Sequence, residues 1–183
     1  MSKEYTFELP LKILLAANVF ASTEDSRYYL NGVHVRGEDK NIRVESTDGH
    51  RAIVFNVATD QDLSGMDYII PSEGLEIKTN KRAPENAKVT LNGRYAIEYD
   101  GTVKTGAPID GTFPDIDRVM PKEEREASVG AGIGVNAGYI GDFAKVNKIL
   151  GIHAVVKFEF GDAADPIRVT TAAYKGVVMP FRV

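Results

Sequence analysis

The sequence predicts an α+β fold made of three successive β-α-β-β-β units, and two observations carry that prediction. A strand-like alternation followed at once by a helix-starting residue occurs three times, and each time three further strand-like runs follow, parted by turn residues. The units share this order of elements and little sequence identity, so the repeat is one of architecture.

In the first unit, residues 5–9 alternate like a half-buried strand, and Pro10 has the fixed φ that suits a first helical turn. Leu11, Leu14, Leu15, Val19 and Phe20 then give a helical apolar stripe, which the polar run 22–26 ends. Strands over 27–36, 41–46 and 51–58 follow, separated by 37–40 and by Asp48-Gly49. The second unit reads as a strand over 67–70, a helix opened by Pro71-Ser72 and ended by Pro84, and strands over 88–92, 94–99 and 102–108. Asn92-Gly93 and Asp100-Gly101 mark its turns. In the third, a strand over 132–135 precedes a helix capped by Asn136, with Tyr139, Phe143, Val146 and Leu150 on one face. Strands over 155–160, 167–171 and 176–181 complete it. The stretch 121–127, with five consecutive charges, is the one linker-like segment and separates the second unit from the third.

Composition narrows the function. With 183 residues, 43% hydrophobic, the chain can bury a real core, and a net charge of −4 gives it no global positive field. The absence of cysteine removes disulfides, thiolate metal sites and cysteine nucleophiles together. No apolar run approaches membrane-spanning length, and residues 1–4 lack a signal-peptide profile, so a soluble cytoplasmic protein is expected. His34, His50 and His153 have no second ligand at helical or hairpin spacing, and neither a metal nor another cofactor is expected. Asp48 and His50 read as tips of a tight turn rather than a catalytic pair, and the chain is expected not to be an enzyme. Gly130-Ala131-Gly132-Ile133-Gly134 precedes a strand instead of joining a strand to a helix, which makes it a joint and not a phosphate loop.

The candidate nucleic-acid contacts are cations at helical spacing. Lys78, Lys81 and Arg82 fall at i, i+3 and i+4, Lys145 and Lys148 lie opposite the apolar stripe of the third helix, and Lys12 is the one cation of the first. Such faces suit a phosphate backbone. No aromatics interleave with them, which argues against single-strand stacking.

Five segments in order carry a resemblance. Residues 27–32 (RYYLNG), 46–52 (STDGHRA), 110–121 (DGTFPDIDRVMP), 133–139 (IGVNAGY) and 177–183 (VVMPFRV) together resemble the bacterial DNA polymerase III beta subunit, the sliding-clamp family. The resemblance implies a DNA-clamp-like fold with antiparallel sheets outside and helices on the inner face. Residues 1–120 resemble the family's complete middle domain and 121–183 the second half of its third. It further implies a processivity factor that contacts or encircles duplex DNA without reading sequence and tethers a DNA polymerase or other clamp-binding proteins through a peptide cleft. By residue it carries that cleft to Leu30, Thr47, Gly49, His50, Arg51, Pro114, Arg118, Val119, Asn136, Tyr139, Val178, Met179, Pro180 and Arg182. Leu30, Val119, Val178 and Met179 would form an apolar floor, with His50, Arg51 and Arg182 bonding the peptide. Ala52, Phe181 and Val183 depart from the family's usual larger aliphatic, methionine and leucine.

The family ring has twelve units and this chain three, so a homo-oligomer is expected, either of four chains or of two whose third units pair. The alternative is a clamp mimic that binds the partners' peptides as a competitor and never encircles DNA.

Overall fold

The computed structural model describes residues 3–77, 85–121, 133–162 and 164–181. The first unit runs β1 (Tyr5–Pro10), α1 (Leu11–Asn18), β2 (Gly32–Glu38), β3 (Asn41–Thr47) and β4 (Arg51–Ala58). The second contributes β5 (Asp67–Pro71), β6 (Asn86–Leu91), β7 (Tyr95–Tyr99) and β8 (Thr102–Gly106), and the third α2 (Ala137–Leu150), β9 (Lys157–Glu159), β10 (Ile167–Thr170) and β11 (Lys175–Val178).

Local chemistry explains most of these bounds. Positive φ at Asp39 and at Asp100-Gly101 closes two tight hairpins. The Asn136 side chain accepts a bond from the Gly138 N–H at 2.8 Å and starts α2, and Gly151 in the left-handed region ends it. Strict alternation in β3 sends Ile42 and Val44 into the main core and Arg43 and Glu45 to the opposite face.

Among the described residues all strand pairs are antiparallel and form two sheets, ordered β1-β6-β7-β8 and β5-β2-β3-β4-β11-β10-β9. The first two units exchange their leading strands: β1 pairs with β6, and β5 with β2. The third unit joins them through β11, which pairs with β4 from Lys175↔Val54 to Val178↔Arg51. One core lies between the two sheets and the helices, from Phe7, Val89 and Ile97 on one sheet to Val35, Phe55 and Val178 on the other. Phe143 of α2 sits in that core, its ring 5.0 Å from Phe20 and 6.1 Å from Tyr174. Burying it contributes about 1.5–3 kcal/mol, which ties the third unit to the first. A smaller cluster on the far face of the seven-stranded sheet joins Ala52, Val54 and Val177 to Ile116, with Phe113 and Met120 against it.

Three predicted elements differ. Residues 25–30 form a 3-10 turn instead of the start of a strand, because the Ser22 hydroxyl accepts from the Glu24 N–H and the Glu24 carboxylate holds Arg27, curling the segment. Of the helix expected between Pro71 and Pro84, the described part is a single 3-10 turn, Ser72–Leu75, with Glu76 outside helical geometry, and the rest of that expectation, residues 78–84, lies outside the described residues. The strand expected over 132–135 is reduced, within the described residues, to one bridge between Gly134 and Phe181. The linker-like stretch falls outside the described residues beyond Pro121. Among the described residues no helix is long and apolar enough to cross a membrane.

Candidate functional site

The turn between β3 and β4 is built by its own side chains. The Thr47 hydroxyl donates to the Arg51 carbonyl at 2.7 Å and accepts from the Gly49 N–H at 3.0 Å. Asp48 Oδ1 accepts from the N–H groups of His50 and Arg51. Gly49 is required at this point: its φ is +90°, and a Cβ there would lie 2.2 Å from Arg27 Nη1. Asp48 Oδ1 is thereby spent on backbone, and the His50 ring stacks on Tyr139 of α2 at 6.1 Å and 16°.

Backbone bonds bring two distant segments to this turn. The Met179 N–H donates to the His50 carbonyl at 2.8 Å, and the Phe181 N–H to the Gly134 carbonyl at 2.7 Å. Thr47, Gly49, His50, Asn136, Tyr139, Met179 and Pro180 thus share one corner where β4, β11 and the start of α2 meet. Pro114, Arg118 and Val119 belong to the loop from Phe113 to Pro121, whose Ile116 seats on Ala52, Val54 and Val177 of the adjoining strands. Between this loop and Pro166 lies an open cleft of about 540 Å³, lined by Arg118, Val119, Met120 and Pro121 among others. Pro166 directly precedes Ile167, the partner of Val178, so the cleft borders the end of β11. Val119 on its lining exposes apolar surface at 43%, and Phe181, whose backbone pairs with Gly134, exposes 59%.

Three expected roles change. Arg51 is 8% exposed and all three guanidinium nitrogens are engaged within the chain: Nε with Asp48 at 3.1 Å, Nη1 with Asp142, and Nη2 with the Val19 carbonyl at 3.2 Å. It also lies over the rings of Phe20 and Tyr139. Arg51 therefore spends three of its five N–H groups on bracing the corner. Val178 points into the main core with no exposure, and its neighbour Val177 faces the cleft-side cluster, because alternation puts only one of the two on that face. Leu30 ends a 3-10 turn and is buried. Arg182 lies outside the described residues.

A charged network that local spacing did not reveal positions the loop. His34 Nδ1 is 2.9 Å from Glu45 and Nε2 is 2.9 Å from Asp67, and the ring stacks on Phe113 at 4.6 Å. Arg43 donates to Glu45 at 2.6 Å and to Asp117 in the loop at 2.7 Å. Burial works to lower the Arg43 pKa, but the bond to Asp117 and the charge and bond of Glu45 outweigh it and hold the guanidinium above its ordinary value. The alternation of charge with aliphatics in β3 was the available signal, and it reads equally as a solvated face.

The candidate cations divide. Lys145 and Lys148 project from the exposed side of α2, Lys145 paired with Asp142 at 2.5 Å. Lys12 on α1, half-buried, has its ammonium beside Gly151 at the carboxy-terminal end of α2, where the helix dipole favours positive charge. Lys78, Lys81 and Arg82 lie outside the described residues.

A family model described as the DNA polymerase III beta subunit, central domain, matches residues 10–115. The beta sliding clamp of Haemophilus influenzae is 36% identical over 128 residues, covering 65% of this chain and 34% of the relative. That of Escherichia coli K12 is 33% identical over 126 residues, with the same coverage. The chain thus spans about a third of the length of these curated relatives. The crystal structure of the C. crescentus beta sliding clamp superposes on all of this chain and 67% of its own with a TM-score of 0.78 at 21% identity, a likeness of fold.

Proposed function

The chain belongs to the family of the DNA polymerase III beta subunit, and from that premise we propose that it serves as a sliding-clamp-like processivity factor. In this reading it is a non-catalytic, cytoplasmic protein that assembles from several copies against or around duplex DNA and tethers a polymerase, or another replication protein, by a short peptide. Residues 1–120 act as a complete clamp-like domain and 121–183 as a half-domain. The observation that carries the reading is the corner where the Met179 N–H meets the His50 carbonyl and Ile116 seats on Ala52 and Val177. Three segments far apart in sequence are held together there around exposed apolar surface, the arrangement a peptide with apolar anchors needs.

Fluorescence anisotropy with a labelled clamp-binding peptide tests it. Val119→Ala combined with Met179→Ala, both outside the main core, is expected to weaken binding by about 2 kcal/mol, roughly thirtyfold. Binding indifferent to both changes, or absent at high micromolar protein, overturns the proposal.

One observation favours the competitor reading, in which the peptide is bound and DNA is not. Of the candidate cations described, Lys145 is paired with Asp142 and Lys12 sits at a helix end, while the whole chain carries a charge of −4. Retention on closed circular duplex DNA in low salt separates the two: a competitor binds the peptide and is not retained.

A further inference from the structure

We propose that two copies of this chain join through their third units by exchanging leading strands, with residues 133–136 of each copy added antiparallel to β9 of the other.

The chain's own first two units supply the rule. Each adds the strand before its helical turn to the first strand after the other's, antiparallel and in one register. The residue immediately before the helical segment meets the first residue of the receiving strand, Pro10 opposite Asn86 and Pro71 opposite Gly32. The third unit has both halves of this device and no partner for either among the described residues. β9, the first strand after α2, ends the seven-stranded sheet. The segment before α2 is held as β5 is held: Ile69, three residues before its helical turn, accepts a backbone bond from Ile109, three residues past the end of β8. Gly134, three residues before α2, accepts the same bond from Phe181, three residues past the end of β11. In β5 the opposite edge pairs with β2. The opposite edge of 133–136 pairs with no strand among the described residues.

Applying the rule fixes the register with no free choice. Asn136 of one copy falls opposite Lys157 of the second copy, Val135 opposite Phe158, Gly134 opposite Glu159 and Ile133 opposite Phe160. The side chains agree with it. Phe158 packs against the main core and its ring lies 6.1 Å from that of Phe160, so the two share a face, which Val135 and Ile133 would cover. Polar Asn136 and Lys157 meet on the other face. A slip of one residue would set Gly134 against Phe158 and bury nothing, so the pattern selects this register. Apolar surface flanks both strands, with Val135 at 36% and Val155 at 76% exposure. A second copy satisfies both free edges at once, since the contact is its own two-fold complement.

The chain has no cysteine, so engineered thiols report cleanly. The wild-type protein is expected to have the mass of at least two chains at tens of micromolar. On oxidation, the double variant Val135→Cys with Phe158→Cys should convert to a covalent two-chain species, because directly opposed residues bring their Cβ atoms within disulfide reach. Asn136→Cys with Lys157→Cys, at exposed positions, tests the same register if Phe158→Cys impairs folding. The shifted pair Gly134→Cys with Phe158→Cys should stay largely uncrosslinked. A monomeric wild-type chain, or an oligomer that neither in-register pair links, overturns the inference. Because DNA retention is scored separately, linked dimers that fail to hold DNA would remove the clamp reading and leave the strand exchange standing.

Discussion

Arg51 on β4 is bonded to the carboxylate of Asp142 on α2, which joins the first unit to the third at the corner where β4, β11 and the start of α2 meet. The pair is buried at both ends, with Arg51 8% and Asp142 9% exposed, and Asp48 and the Val19 carbonyl take the remaining guanidinium nitrogens. An arginine in the exposed turn of the sequence is in fact a brace. Its charge is partnered by Asp48 and Asp142, so it holds the turn to α2.

Removing one member of such a pair strands the other. Asp142→Ala is expected to destabilise the chain by about 3 kcal/mol, near the low end for a broken buried pair because Asp48 remains. Replacing both, Arg51→Met with Asp142→Leu, should cost less than the single change. Urea unfolding midpoints of Arg51→Met, Asp142→Leu and the double variant complete the cycle, and additive losses would show that the pair is not coupled.

Gly32 opens β2 where the chain leaves its 3-10 turn, and a Cβ there would lie 2.3 Å from the Ile70 carbonyl oxygen on the neighbouring strand. The obstacle is backbone, so it cannot swing aside. Gly32→Ala should destabilise by about 2 kcal/mol or more through strand displacement. An unchanged melting temperature would mean that β5 yields freely.

The parts of this fold governed by local chemistry were legible. Asn136 as a cap, the tight turns and the alternation in β3 and β4 each follow from a few adjacent residues. What escaped depends on contacts far apart in sequence. Arg27 to Leu30 has the composition of a strand, but Ser22 and Glu24 curl it. The pairing of β11 with β4 joins segments more than a hundred residues apart and leaves no local trace, and with it went the distinction between Val177 and Val178. The cleft residues on the turn and on the carboxy-terminal segment could be found through family resemblance. Met120 and Pro121 fall in a resembling segment without being singled out, and Pro166 falls in none, since only the fold places it beside that loop.

Asp117 holds the cleft loop to β3 through Arg43. Asp117→Asn keeps the shape and removes the charge, so the loop should loosen while the core, which it does not enter, stays intact. The expected result is several-fold weaker peptide binding with unchanged far-ultraviolet circular dichroism. Equal affinity would show that the loop is held by Ile116 alone.

Burial pushes the Tyr174 phenol up to about 12, and its hydroxyl donates to Asn147 Oδ1 at 2.9 Å. The unfolded phenol titrates near 10, so between about pH 10 and 12 the folded chain keeps a proton that the unfolded chain has lost. The associated stability is complete below pH 10 and falls as pH rises through 12, by about 2–3 kcal/mol in all. Tyr174→Phe is less stable at neutral pH, because Asn147 loses its donor, and should show a shallower alkaline decline than wild type. Parallel declines would assign the alkaline step to other groups.

Lys148 is the exposed cation in the last turn of α2 and pairs with no carboxylate among the described residues, in contrast to Lys145, which Asp142 partly neutralises. If α2 faces duplex DNA in the assembled protein, Lys148 displaces a counterion from a phosphate in every copy, whereas much of Lys145's charge is already spent. Lys148→Gln should therefore weaken duplex retention more than Lys145→Gln. It should also make the fall of log affinity with log salt shallower, by about one for each phosphate no longer neutralised. The measurement is binding to closed circular duplex across a salt series, with peptide anisotropy run in parallel. Peptide binding should not change, because Lys148 lies at the opposite end of α2 from Asn136 and Tyr139. A salt slope the same as wild type would turn α2 away from DNA.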